Sequence, residues 1–460
     1  MTPAPASALA DAAQGSLSSR VRRFRDIALR DTNVVVISVV LANLLRAFSS
    51  VVLTRLLVPE VFGISGVIAS IVFAFGMVSD LGFQAFVVRH PDGEKPHFLD
   101  TIWTMAVLRS IVLTCAMFAL SPAIAGLFGK PELTPLIAVA SLTFVIDGVA
   151  SLTLLTALRH RMVLRLSLVE LSVLILQISL SFLLAYLWRN YWAILASMLA
   201  GSAFKSLLSY LLFPDSLRKP AFDRQYIREL WNFARFVTGS SIITLLLLQG
   251  DKFALGRLMS LDDFGFYILA GNLATAPLAF TTAYASRVLF PAYSQAWRDG
   301  EKNLRALFYA KRRLPSLIYS FAAGGLIGSA PLVIELLYDP RYATSAIYLQ
   351  ILAITPLFAL ASNSGNETLT ATGHIKVTFQ ASVAKLLWFC IAGPAGYALG
   401  GVLGLVVAVG LMEIPAVILK WIRMHRLQFL DLRQELLFLA AGGGGIIAGA
   451  IGDNLIERLL

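Results

Sequence analysis

The chain carries the same pattern twice. Leu53-Thr-Arg-Leu-Leu-Val-Pro-Glu-Val-Phe-Gly63 returns 202 positions later as Leu255-Gly-Arg-Leu-Met-Ser-Leu-Asp-Asp-Phe-Gly265, keeping Leu, Arg, Leu, an acid, Phe and Gly in register. A second echo matches Leu155-Thr-Ala-Leu-Arg-His-Arg-Met-Val163 with Leu369-Thr-Ala-Thr-Gly-His-Ile-Lys-Val377 at Leu, Thr, Ala, His and Val, and a weaker one sets Leu127-Phe-Gly-Lys-Pro131 beside Leu336-Leu-Tyr-Asp-Pro340. The order is kept and only loop lengths drift. Solenoid repeats run to roughly 50 residues, so a repeat of this length is a duplicated domain.

The duplicated unit belongs in a membrane. With 57% hydrophobic and 14% charged residues and a mean hydropathy of +0.75, the chain has more apolar surface than a soluble core can hide. Apolar spans fall near 34–57, 61–85, 101–121, 133–158, 164–187 and 191–213, then near 233–256, 264–288, 314–338, 345–371, 376–398 and 401–421. Six per repeat is an even number, so the second repeat enters the bilayer in the orientation of the first. The expected fold is all-α and integral to the membrane, two parallel six-helix lobes related by a pseudo-two-fold axis, with a substrate cavity between them and alternating access as one lobe rocks on the other.

The expected divisions are a basic N-terminal segment 1–33, a first lobe 34–213, a linker 214–232 with Ile227-Arg-Glu-Leu-Trp231 as a short surface helix, a second lobe 233–425 and a C-terminal segment 426–460. In that last segment Glu435 to Gly452 is apolar but holds Gly442 to Gly445, and it reads equally as a thirteenth span, a half-inserted hairpin or part of a truncated pair.

The net charge of +11 is placed by topology. Alternate loops carry Arg89 and Lys95, then Arg159, Arg161 and Arg165, then Arg218, Lys219, Arg224 and Arg228, then Arg298, Lys302, Arg305, Lys311, Arg312 and Arg313, then Lys376, and last Lys420, Arg423, Arg426 and Arg433. The opposite loops hold little beyond Lys130, Arg189, Arg257 and Arg341. This asymmetry sets the basic loops and the N-terminus in the cytoplasm, and it makes anionic lipid headgroups the expected partner instead of nucleic acid. Arg20, Arg22, Arg23, Arg25 and Arg30 precede no apolar stretch with a cleavage site, so no removable signal peptide is expected. Cys115 and Cys390 fall in apolar stretches as small hydrophobes, and the five histidines lack metal spacing.

Arg55-Leu-Leu-Val-Pro-Glu-Val-Phe-Gly63 followed by Ser79-Asp-Leu-Gly-Phe83 resembles the signature in the first two spans of Wzx-like polysaccharide flippases of the MOP superfamily, nearest to the colanic-acid exporter type. Gly250-Asp-Lys-Phe-Ala-Leu-Gly256, Asn272-Leu and Arg287-Val-Leu-Phe-Pro291 look the same way in the second repeat, and the resemblance runs to about residue 425. It implies a bacterial inner-membrane carrier, not an enzyme, that turns an undecaprenyl-diphosphate-linked oligosaccharide from the cytoplasmic to the periplasmic leaflet. A polysaccharide polymerase and a chain-length regulator are the candidate protein partners.

Charges at mid-depth cost about 2.5 to 3.5 kcal/mol each, so they face a wet cavity or a partner. Arg46, Arg109, Lys205 and Lys385 are the candidates for a diphosphate, for which arginine offers a planar fork; the bland alternative is a charge paired inside the bundle or snorkelling. Asp147, Glu413, Glu170 and Asp251 are the candidates for coupling to H⁺ or Na⁺, although for Asp251 an internal ion pair with Lys252 or Arg257 is the preferred reading. No other cofactor and no metal site is expected. A cation-coupled multidrug exporter of the same fold is the nearest rival, disfavoured by cations at mid-membrane. A membrane glycosyltransferase or ligase acting on the same lipid needs a large outer loop, which the span pattern lacks.

Overall fold

The computed structural model describes residues 31–160, 162–213, 216–299 and 303–458. Arg20, Arg22, Arg23, Arg25, Arg30, Arg161 and Lys302 lie outside the described residues, and residues 31–33 already belong to the first helix. Among the described residues there are helices and turns and no strand. Ten segments are long and apolar enough to cross a membrane, or eleven if Arg305–Gly328 and Ala330–Leu337, bent by 72° at Ser329, count as one.

The principal helices are α1 (Asp31–Leu56), α2 (Pro59–Val78), α3 (Pro96–Phe128), α4 (Val163–Trp188), α5 (Trp192–Leu211), α6 (Arg224–Leu258), α7 (Leu261–Thr275), α8 (Leu304–Gly328), α9 (Ile354–Ala371), α10 (Ile375–Gly410), α11 (Glu413–Arg426) and α12 (Leu432–Glu457). The repeated segments form the tight turns α1–α2 and α6–α7. The first starts its second helix with Pro59 at the N-terminus. The second uses a Ser260 cap that accepts from the Asp263 amide at 3.0 Å while its hydroxyl donates to the Asp263 carboxylate at 2.7 Å.

The two turns meet on the pseudo-two-fold axis. A methyl on Gly63 would lie 1.9 Å from the Leu261 carbonyl oxygen, and one on Gly265 would lie 2.1 Å from that of Pro59. The shared Phe-Gly of the repeat is therefore a packing requirement of α2 against α7.

Each half also secures the helix end of the other. Lys130 donates to the carbonyls of Gly256 at 2.6 Å and Met259 at 2.9 Å, at the close of α6. Tyr342 donates to Leu57 at 2.9 Å and Arg341 to Thr54 at 3.4 Å, at the close of α1. Thr54 and Leu57 are the repeat equivalents of Gly256 and Met259. Terminal helix carbonyls lack an intrahelical donor, and here the opposite half supplies it. The few cations of the opposite loops thus include two that clasp the lobes together.

Several expectations are corrected by packing. The linker 214–232 does not end at 232, because α6 starts at Arg224, capped by Asp223, and Ile227–Trp231 are turns of this 35-residue helix. α10 is a hairpin: at Gly400 and Gly401 the backbone leaves the helical region, Trp388 then donates to the Ala408 carbonyl at 2.8 Å, and methyls on Gly396 and Gly404 would each strike the other's carbonyl. The reversal falls between the expected spans 376–398 and 401–421.

Of the readings of the C-terminal segment, one continuous helix is found. α12 lies so close to α8 that methyls on Gly324, Gly328, Gly445 and Gly449 would come within 2.0 to 2.5 Å of backbone oxygens of the facing helix. Small residues at that spacing allow such an approach. The contact is locked by Arg312, which donates bidentately to Glu435 at 2.7 and 3.0 Å, with Tyr309 donating to the same carboxylate at 2.8 Å. Arg312 is 1% exposed, so it is no loop charge. Lys420 is likewise a buried residue of α11, at 2% exposure. Cys115 and Cys390 are both exposed on helix surfaces, because an apolar stretch in a membrane has an outward face too.

Candidate functional site

A cavity of about 970 Å³ lies between the halves, lined by α1, α2, α4 and α5 on one side and by α6, α7, α10 and neighbouring helices on the other. Its α1 residues run from Arg46 to Leu53 and its α2 residues from Phe62 to Phe73, so one end of it lies beside the clasp. Three cations (Arg46, Lys252 and Lys385) and two carboxylates (Asp251 and Glu413) line it.

Of the four candidate cations, Arg46 and Lys385 line the cavity and Arg109 and Lys205 do not. Arg46 is exposed and has no hydrogen-bond or ion-pair partner among the described residues. Arg109 is occupied elsewhere: it donates to the Ser79 carbonyl and hydroxyl, both at 2.7 Å, and to the Gly76 carbonyl at 3.1 Å. It closes the carbonyl end of α2, where a cation is favoured. Lys205 stands beside Asp147 and Ser202 on the α5 side of the first half.

Of the four candidate acids, Glu413 and Asp251 line the cavity, whereas Asp147 and Glu170 do not. Asp251 accepts from the Tyr267 hydroxyl, which joins α6 to α7, and Lys252 sits beside it. Glu413 is paired with Lys385 across the hairpin. Its second oxygen accepts from the Ser362 hydroxyl at 2.9 Å. Lys420 in turn donates to that hydroxyl at 2.7 Å and to the Ser362 carbonyl at 3.1 Å.

This chain of four side chains was the part hidden from sequence reasoning, which counted Lys420 among loop cations and left Ser362 unnoticed. One signal was present: Lys420 follows Glu413 by seven residues, two helical turns, and so shares its face. Lys252 was seen only as a partner for Asp251, and Gln249, whose buried Oε1 lacks a partner among the described residues, was missed. Opposite them, Ser65, Ser70, Ser181 and Ser197 line the first half and donate their hydroxyls to carbonyls of their own helices at 2.7 to 2.8 Å. Their oxygens remain acceptors for a donor in the cavity.

At the other end of the molecule, the α6 start is tied to the first half outside the membrane. Lys95 at 2.7 Å and the Tyr226 hydroxyl at 2.9 Å hold the Asp92 carboxyl below the usual carboxylate range. His90 joins Glu229 at 2.8 Å.

The sequence pattern of a family described as polysaccharide biosynthesis protein matches residues 52–347. Lipopolysaccharide biosynthesis protein WzxC of Escherichia coli (strain K12) is 26% identical over 81% of this chain and 76% of its own length. Teichuronic acid biosynthesis protein TuaB of Bacillus subtilis (strain 168) is 22% identical over 71% and 68%. Among solved structures, the lipid II flippase MurJ in its inward closed conformation superposes with a TM-score of 0.69 at 14% identity, covering 89% of this chain and 90% of its own. An inward-facing multidrug resistance MATE transporter of the MOP superfamily follows at 0.63 and 15%, covering 86% and 95%. The two-lobed helical fold is thus shared with the MurJ and MATE structures, and the chain belongs to the polysaccharide biosynthesis protein family.

Proposed function

We propose that the protein is a flippase for surface polysaccharide synthesis, turning an undecaprenyl-diphosphate-linked oligosaccharide from the cytoplasmic to the periplasmic leaflet of a bacterial inner membrane by alternating access. The observation that carries this reading is Arg46, a guanidinium facing the inter-lobe cavity without a protein partner among the described residues. An arginine left in a low-dielectric cavity calls for an anion, and its fork suits phosphate oxygens. Lys252 and Lys385 are the supporting cations, and the acceptor serines suit a cargo rich in hydroxyl groups. Asp251 with Tyr267 is the candidate for coupling to H⁺ or Na⁺. Arg109, Lys205, Asp147 and Glu170 are not carried forward, because they stand away from the cavity.

The printed roles of the relatives in lipopolysaccharide and teichuronic acid biosynthesis support a saccharide cargo. The basic loops support a cytoplasmic N-terminus, which puts the clasp at the periplasmic side. An excess of cations over acids in the cavity speaks against a cationic drug as cargo.

The test is a deletion strain compared with one producing Arg46→Ala at normal membrane abundance. Both should strand the complete oligosaccharide diphosphate lipid on the cytoplasmic leaflet, read by mass spectrometry of extracted carrier lipid and an impermeant glycan-modifying reagent. A truncated saccharide, or a complete one already exposed at the periplasmic face, would overturn the reading.

A further inference from the structure

Lys420 is the anomaly from which a switch can be read. Its ammonium is buried, yet no carboxylate lies within 4.0 Å of it among the described residues; its partners are the hydroxyl and carbonyl of Ser362. Among the described residues, the acid that acts on it, Glu413, is engaged by Lys385. Two ammonium groups therefore share a single carboxylate, and the cluster is one negative charge short of neutral.

Access to the two lysines differs. Lys385 lines the cavity, with a side chain 21% exposed, and Glu413 beside it is 17% exposed. Lys420 is sealed behind them and does not line the cavity. An incoming anion can reach the first lysine and not the second. Ser362 bridges the remaining gap, donating to Glu413 while accepting from Lys420.

We infer that Glu413 is a displaceable stand-in for the cargo's anion: a phosphate oxygen takes Lys385, and Glu413 is released toward Lys420. This rests on the reading of the cargo as a phosphate-bearing lipid. The exchange makes no covalent bond and leaves the cluster neutral once one phosphate charge has joined it. Glu413 is placed for the move, since it opens α11 directly after the turn at Leu411 and Met412, where a side chain can swing without breaking helical hydrogen bonds. The mechanical consequence follows from which helices are linked. Before exchange, Glu413 ties α11 both to the 375–399 arm of the hairpin through Lys385 and to α9 through Ser362; afterwards the tie to the hairpin arm is given up and the tie to α9 alone remains, with Lys420 of the same helix taking up the released charge. Cargo occupancy thereby alters how α9, α10 and α11 are joined, so Lys420 acts as a positioning residue.

The test uses the purified full-length chain in nanodiscs with inorganic pyrophosphate as the probe, its affinity read by isothermal titration and by the rise in Tm on binding. Glu413→Gln removes the competitor at Lys385 and should tighten pyrophosphate binding about tenfold, while slowing turnover of lipid-linked cargo in cells. Lys420→Met deprives Glu413 of its alternative and should weaken binding about tenfold; the double variant should return to at least the native affinity. If Lys420→Met does not fold, Glu413→Gln and the double variant still decide the matter. Pyrophosphate affinity unchanged in Glu413→Gln would overturn the switch, because a purely structural cluster has no reason to compete with the anion. If that pattern appears but the deletion strain strands no lipid-linked saccharide, the proposed cargo fails and the anion switch stands; the converse result sinks the switch alone.

Discussion

The two halves are alike where they hold each other and unlike where they face the cavity. At the clasped end, Lys130 of the first half meets the carbonyls of Gly256 and Met259, while Arg341 and Tyr342 of the second meet their repeat equivalents, Thr54 and Leu57. Gly63 and Gly265 complete the same symmetry on the axis. In the cavity, the first half presents Arg46 and a row of serines, whereas the second presents Asp251 with Tyr267 and the chain from Lys385 through Glu413 and Ser362 to Lys420. The difference teaches what each site demands. A close backbone approach and an unfilled helix end make the same requirement of both copies, so the solution persists through duplication. An asymmetric cargo makes different requirements of the two walls, so their side chains are free to diverge.

The comparison breaks most severely at the axis. Gly63→Leu and Gly265→Leu each push a side chain into a facing carbonyl, and both should remove most folded protein from the membrane, since overpacking of a tight contact costs about 1–3 kcal/mol or more. Membrane abundance on immunoblots and surface polysaccharide measure it. Loss in one variant with full tolerance of the other would show that the axis is not symmetric in energy.

A smaller effect is expected at the clasp. Lys130→Met leaves two helix-end carbonyls without their donor and Tyr342→Phe leaves one, each orphaned acceptor costing about 1–3 kcal/mol when buried. Both should lower Tm in detergent, Lys130→Met by more, and both should raise the labelling of a single cysteine placed at Leu57 by an impermeant thiol reagent. Equal protection of that cysteine in the native and Lys130→Met proteins would remove the clasp from the closure of the cavity.

The smallest effect belongs to the joint at the opposite end, which depends on ionised groups. Lys95 and Tyr226 keep the Asp92 carboxyl below its ordinary value near 3.9, so its contribution is complete above that pH and fades only as pH falls through the lower, folded value. Amide exchange in the first turns of α6 should therefore be flat from about pH 5 upward once corrected for intrinsic rates, and should quicken slightly in stronger acid. Asp92→Asn should show the quickened exchange at every pH. A step near neutral pH would show that the joint does not rest on the Asp92 carboxylate.

Much of the architecture was legible from residues alone. The duplicated Leu-x-Arg-Leu pattern, the runs of apolar residues and the side on which Arg and Lys gather determined a membrane protein of two parallel lobes, and the same reading singled out Arg46, Lys385, Glu413 and Asp251. These signals vary along the chain, so the sequence records them directly. What it does not record is direction around each helix axis. Arg46 and Arg109 are equally deep by hydropathy, yet one faces the cavity and the other closes the end of α2, because that choice is made by neighbours tens of residues away. Arg312 and Lys420 look like loop cations at the margins of apolar spans, and become buried only when α12 packs on α8 and α9 packs on α11. Depth in the membrane was determined by the sequence; which group each charge meets was decided by the tertiary structure, since the free energy of a buried charge depends on the partner that packing brings within hydrogen-bonding distance.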